Sequence, residues 1–128
     1  RIHEAESVAT LKPRFENYAE VFRADVAEPI GKSYEELWTT PIRLKAMPDQ
    51  TELVVNLSPA AMLGAENELS CHFPGGYRKI AAHLDPQRVW VAWKYRRPGE
   101  SSGMAFDGLV RVDDHWAWFP KPYRLVSA

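Results

Sequence analysis

The sequence predicts an α+β domain: N-terminal helices packed on a curved, mainly antiparallel sheet that ends in a three-stranded meander. Three observations predict it. An apolar stripe of helical period runs through the first quarter, apolar–polar alternation of period two fills residues 88–112, and Gly-, Pro- and Ser-containing breaks separate the two regimes. The chain has 128 residues, which fits one domain spanning 1–128. Its 45% hydrophobic and 26% charged residues are globular usage and argue against a disordered or collagen-like chain.

The first helix is read from Val8, Leu11, Phe15, Tyr18, Phe22 and Val26, which step by three or four. Pro13 either begins this helix or bends it, and Glu28-Pro29-Ile30-Gly31 ends it. Ser33 followed by Glu36 has the spacing of a capping box and opens a short helix over 34–39. The period then changes. Ile42 and Leu44 alternate with Arg43 and Lys45, and Leu53-Val54-Val55-Asn56-Leu57 is rich in β-formers, so the two runs read as a hairpin. Ser58-Pro59 opens a single helical turn to Met62, and Gly64 closes it. Leu69, Cys71 and Phe73 alternate as a short strand. After the break at Pro74-Gly75-Gly76, the spacing of Tyr77, Ile80, Ala81 and Leu84 predicts a short amphipathic helix closed by Asp85-Pro86.

The meander is the clearest element. Val89, Val91, Trp93 and Tyr95 alternate with Trp90, Ala92, Lys94 and Arg96. Beyond a polar turn at 98–103, Met104, Phe106, Gly108, Val110 and Val112 alternate with Ala105, Asp107, Leu109 and Arg111. Asp113-Asp114 makes a tight turn into a last strand at Trp116. Strict alternation makes the Val91/Trp93/Phe106/Val110 face the core. It leaves a mixed outer face carrying Trp90, Arg96, Asp107, Leu109 and Arg111 as ligand-binding or interface candidates.

Tyr34-Glu35-Glu36-Leu37-Trp38 near the start and the run Gly103 to Trp116 at the end give an order of elements that resembles the nuclear-transport-factor-2-like (cystatin-like α+β) superfamily. The resemblance covers most of the chain and rests on element order. It implies a strongly curved sheet wrapped round helices as a cone, with a polar residue in the cone serving as general base in the enzymes of that group. One departure is the third helix, which spans only 77–84 here. Because such folds host isomerases, dehydratases, adaptors and assembly parts, the fold does not choose a function.

No P-loop, dinucleotide-binding glycine motif, Gly-x-Ser-x-Gly or zincin motif is present. Cys71 is the single cysteine, so no internal disulfide forms, and a small buried or half-buried hydrophobe is its expected role. His3, His72, His83 and His115 include no pair three or four apart, so neither a helical metal pair nor a cofactor is expected. Net charge is −1, but residues 1–70 hold seven basic and twelve acidic residues and residues 71–128 nine and five. That asymmetry is too small for a nucleic-acid footprint. Tyr77-Arg78-Lys79 after two glycines is a weak anion motif whose plainer reading is a turn with positive φ. No run of 18 apolar residues predicts a membrane-spanning helix. The chain opens on Arg1, and if a signal or lipid anchor preceded it the setting would be a bacterial envelope.

Asp107 is unusual in mid-strand. Parity sets it beside Lys94, Arg96 and Arg111, so a cross-strand ion pair is the expected role and general-base catalysis the lesser one. No catalytic set is legible. The reading is therefore a non-catalytic binding or assembly module that self-associates, as a homodimer, through its sheet. The alternative is a small acid–base enzyme of isomerase or dehydratase type with a hydrophobic cone-shaped pocket for a small apolar ligand.

Overall fold

The computed structural model describes residues 10–39, 48–101, 103–112 and 115–125. Val8, the Ile42–Leu44 arm of the expected hairpin and the Asp113-Asp114 turn lie outside the described residues. The remainder is α+β, with a four-stranded antiparallel sheet in the order β1-β2-β3-β4, open rather than closed into a barrel. The strands are β1 Glu52–Pro59, β2 Val89–Arg96, β3 Gly103–Val112 and β4 His115–Trp118. The meander is thus present, and β1 pairs along the full length of its first strand, from Glu52↔Arg96 to Pro59↔Val89.

The helical region differs from the single early helix the stripe predicts. Helix α1 is Asn17–Val21 and α2 is Ala24–Leu37. The chain leaves helical geometry at Phe22, where it forms a β-bridge to Leu84, flanked by Arg23 N–H to His83 O and Asp85 N–H to Val21 O. Leu11, Tyr18 and Phe22 of the expected stripe are buried, whereas Phe15 is 90% exposed. Pro29 does not end a helix but sits inside α2. A mid-helix proline costs about 3 kcal/mol. It is tolerated because Ala27, Ile30, Gly31 and Tyr34, at spacings of three, four and seven, bury one continuous stripe. Full burial of Ile30 and Tyr34 contributes about 2–3 kcal/mol each and outweighs the proline. Ser33 is therefore mid-helix, its hydroxyl donating to Pro29 O at 3.2 Å, rather than the cap of a new helix. Gly31 is small because an added Cβ would stand 3.3 Å from the Tyr18 ring where α1 crosses α2.

The turn after Ser58-Pro59 is a 3₁₀ turn, Ala60–Met62. The strand expected through Leu69, Cys71 and Phe73 is instead a 3₁₀ turn, Ser70–His72. The cause is local. The Asn67 Oδ1 accepts from the N–H groups of Leu69 and Ser70, its Nδ2 donates to Met62 O and Ala65 O, and Ser70 Oγ donates to Ala65 O. Side-chain bonds of this kind offer the backbone an alternative to a ladder. Cys71 is consequently exposed, not buried. Helix α3, Gly76–Ile80, continues as a 3₁₀ turn over Ala81–His83, as the spacing predicts. Neither Gly75 nor Gly76 has positive φ. Gly76 is small because a Cβ there would meet the Tyr123 ring at 2.5 Å.

Both faces of the sheet carry apolar clusters. On face A the three helices cover Trp90, Ala92, Val110, Val112 and Ala117, with Phe119 at the centre of an aromatic group formed with Tyr18, Phe22, Tyr34 and Trp90. On face B a smaller cluster joins Leu11, Val91, Trp93 and Trp118, with Trp38, Tyr95, Phe106 and Leu109 partly buried against it.

Candidate functional site

Gly108 decides which side chains share a face. Strand β3 shifts register there: Val91 faces Leu109, but Ala92 faces Asp107, so Gly108 is the extra residue of a β-bulge. Its φ is +96°, and its carbonyl accepts from the Phe119 N–H at 2.7 Å. A bulge inverts parity along its own strand. The mixed outer face predicted from strict alternation is therefore not formed. Trp90 and Asp107 lie on face A and are 0% and 5% exposed. Leu109 and Arg111 lie on face B, Leu109 in the smaller cluster and the Arg111 guanidinium 5.4 Å over the Trp116 ring. Arg96 sits at the far end of β2, where its Nε donates to Glu52 at 3.2 Å across the strand pair. The expected pairing of Asp107 with Arg96 or Arg111 is absent.

Asp107 is held by other groups. The Tyr77 hydroxyl donates to its Oδ1 at 2.6 Å, the Lys121 N–H donates to the same oxygen at 3.1 Å, and Trp118 Nε1 donates to its backbone carbonyl at 2.8 Å. Lys121 takes φ +47° to present that N–H. Burial pushes the Asp107 carboxyl above its ordinary range, while the Tyr77 and Lys121 hydrogen bonds pull it back. Burial first, then the Asp107 charge, push the Tyr77 and Tyr34 hydroxyls well above the usual tyrosine range. Tyr34 donates instead to Pro120 O at 2.9 Å.

Beside Asp107 lies an open cleft of ≈ 250 Å³. Its floor is face A of β1 to β3 at Asn56, Ala92, Lys94 and Ala105, and the 3₁₀ turn with Cys71 and His72 borders it. The enzyme alternative expects a hydrophobic cone-shaped pocket, and this lining instead mixes Asn56, His72, Lys94 and Asp107 with Pro74, Ala92 and Ala105. Among the described residues no cluster of His, Cys, Asp or Glu could hold a metal. The basic pair at the end of β2 is neutralised, Arg96 by Glu52 and Arg97 by Asp49 and Glu100.

A second feature stands on face B. Leu53, Val55 and Leu57 are 54%, 48% and 53% exposed, and their partners across the ladder are Tyr95, Trp93 and Val91. The run itself is plain in the sequence, but which side of β1 it faces is not. The Tyr77–Asp107 bond was equally hidden, because it joins residues thirty apart across a bulge. The isolated glycine in mid-strand was the available signal.

The fold and these two features define an α+β protein with an open four-stranded antiparallel sheet, helices on one face and an exposed apolar stripe on the other. No protein-family model, curated protein or solved structure matches the chain. Among the described residues no helix is long and apolar enough to cross a membrane.

Proposed function

We propose that this domain is a non-catalytic assembly module of nuclear-transport-factor-2-like type that pairs with a second copy of itself through face B. The exposed stripe Leu53, Val55 and Leu57 carries this reading. Strands normally turn their apolar side to the core under their own helices. On β1 three of the four aliphatic residues do the reverse: Glu52, Val54, Asn56 and Ser58 share the helix-covered face, and Leu53, Val55 and Leu57 point away. The stripe continues the partly buried Tyr95, Phe106 and Leu109 and leads to Met104, which is 41% exposed. At its end the charges are already paired, Arg96 with Glu52 and Arg97 with Asp49, so two copies bring no unpaired like charges from these groups together. The one-sided helical layer and open sheet support a curved, cone-like arrangement.

Three strands about 4.8 Å apart, with about eight residues of 3.3 Å each, give a patch of about 14 by 26 Å. Its projected area is about half of the roughly 800 Å² per partner that a standard interface buries. The dimer is therefore weak and concentration-dependent. Sedimentation equilibrium from about 1 to about 200 μM should show the mean mass rising toward the dimer, a span centred on micromolar affinity. The double variant Val55→Lys, Leu57→Lys should remain monomeric. A parent that is monomeric throughout, or a double variant that associates equally, refutes the reading.

A second reading, a small acid–base enzyme, is favoured by one observation: Asp107 lies beside the cleft with the Tyr77 hydroxyl 2.6 Å away. In that reading the carboxylate takes a proton from a carbon next to a carbonyl and returns it to a neighbouring carbon. Incubation with small ketones and hydroxy acids in D₂O should then incorporate deuterium, and Asp107→Asn should abolish it. If none of these compounds exchanges, this reading fails.

A further inference from the structure

We propose that the cleft on face A binds a small organic carboxylate, with its anionic end at Lys94 and its carbon body over Ala92 and Ala105. This goes beyond the pairing of two copies and uses the opposite face of the sheet.

The register builds the cleft. Asn56, Ala92 and Asp107 form one row across β1, β2 and β3, and Lys94 faces Ala105 one pair further along. Adjacent strands are about 4.8 Å apart, so Asn56 and Asp107 stand about 10 Å apart with only a methyl group between them. That notch exists because Ala92 and Ala105 are small, and the turn carrying His72 borders it. A volume of ≈ 250 Å³ is that of about eight water molecules, which suits a molecule of about eight to ten non-hydrogen atoms.

The charges select the class of ligand. Among the described residues Lys94 is the one Lys or Arg in the lining, and Asp107 the one carboxylate. Asp107 is 5% exposed, and both donors it meets converge on Oδ1. Burial disfavours the charged form of Asp107, while the Tyr77 and Lys121 hydrogen bonds on Oδ1 offset part of that and already occupy this oxygen. The Lys94 ammonium donates to Ser101 O, which leaves two of its three N–H bonds for a ligand. The carboxamide of Asn56 and the ring of His72 line the same cleft and supply further donors. A carboxylate offers such donors the stronger, charge-assisted bond, and an amide of the same shape does not.

The experiment is an NMR titration of the ¹⁵N-labelled chain with benzoate and with its neutral isostere benzamide. Benzoate should shift the amide signals of Ala92, Lys94 and Ala105 saturably, and benzamide should bind about tenfold more weakly or worse. Lys94→Met, a change at a half-exposed position, should weaken benzoate about tenfold and leave benzamide unchanged. Ala92→Leu should fill the notch and remove both. Equal binding of the two probes overturns the proposal. So does undiminished benzoate binding by Lys94→Met, or an absence of saturable shifts at these three residues.

Discussion

Gly108→Ala tests the bulge that sets the whole arrangement of β3. Gly99 supplies the matched control, because it too has positive φ, +82°, but an added Cβ there meets nothing within 4 Å. Gly99→Ala carries only the conformational penalty, about 1–2 kcal/mol, reduced by up to about 1 kcal/mol because alanine restricts the unfolded chain. At Gly108 the same penalty applies, and the new Cβ would lie 2.0 Å from Phe119 O and 2.6 Å from its carbonyl carbon. Relief requires the two segments to separate. That breaks the 2.7 Å bond from Phe119 N–H to Gly108 O, worth about 1 kcal/mol. It also displaces Phe119, which is fully buried among four aromatic rings, and such core distortion costs about 1–3 kcal/mol. The sum is about 2–6 kcal/mol, a large share of the 5–15 kcal/mol typical of a folded domain. Urea unfolding followed by tryptophan fluorescence and by far-UV circular dichroism measures both variants. Gly108→Ala should lose about 2–4 kcal/mol more than Gly99→Ala, and a loss equal to the control's would refute the close approach and the bulge with it.

The buried tyrosines predict alkaline unfolding. Their folded pKa values are raised, so their contribution is fully present below the ordinary tyrosine value and is lost as pH rises above it. Tyrosinate absorbance from Tyr34 and Tyr77 should therefore appear together with loss of circular dichroism, and its appearance in an intact fold would contradict the burial. Asp107 follows the same sign in acid, because burial raises its pKa as well. Asp107→Asn keeps an acceptor for Tyr77 and Lys121, so the parent should lose stability relative to this variant as pH rises from about 3 through the raised value, and parallel pH profiles would show that Asp107 carries no such shift.

Elements whose stability rests on long-period burial were legible from the residues. The meander, the short helix at Tyr77 and the turn after Ser58-Pro59 all appear where spacing puts them. Elements decided by single contacts were not. Reading Pro29 as a stop assumes that backbone propensity rules, yet the Ala27/Ile30/Gly31/Tyr34 stripe outweighs it. Reading Leu69, Cys71 and Phe73 as a strand ignores Asn67, whose side chain bonds to four backbone groups in nine residues.

The site shows the same division more sharply. Alternation along β3 is a sound rule on either side of Gly108 and fails across it, and that one residue exchanges the faces of Asp107 and Leu109 relative to each other. The cleft beside Asp107 and the Phe106–Leu109 part of face B follow from the exchange, whereas the β1 stripe is set by the unshifted register of β1 with β2. Had parity run unbroken with Val110 and Val112 held in the core, Asp107 would have faced outward with Leu109, out of reach of Tyr77. The cleft would then have lost the one carboxylate that lines it among the described residues. Face B would have carried a carboxylate opposite Trp93 and beside Leu109, and would have lost Phe106, a poor surface for pairing with another copy. The bulge instead moves the charge beneath the helices and leaves Leu53, Val55, Leu57, Phe106 and Leu109 together on the other side. One inserted glycine thus divides β3 between the notch and the apolar face, so the proposed binding and the proposed pairing fall on opposite sides of the same sheet.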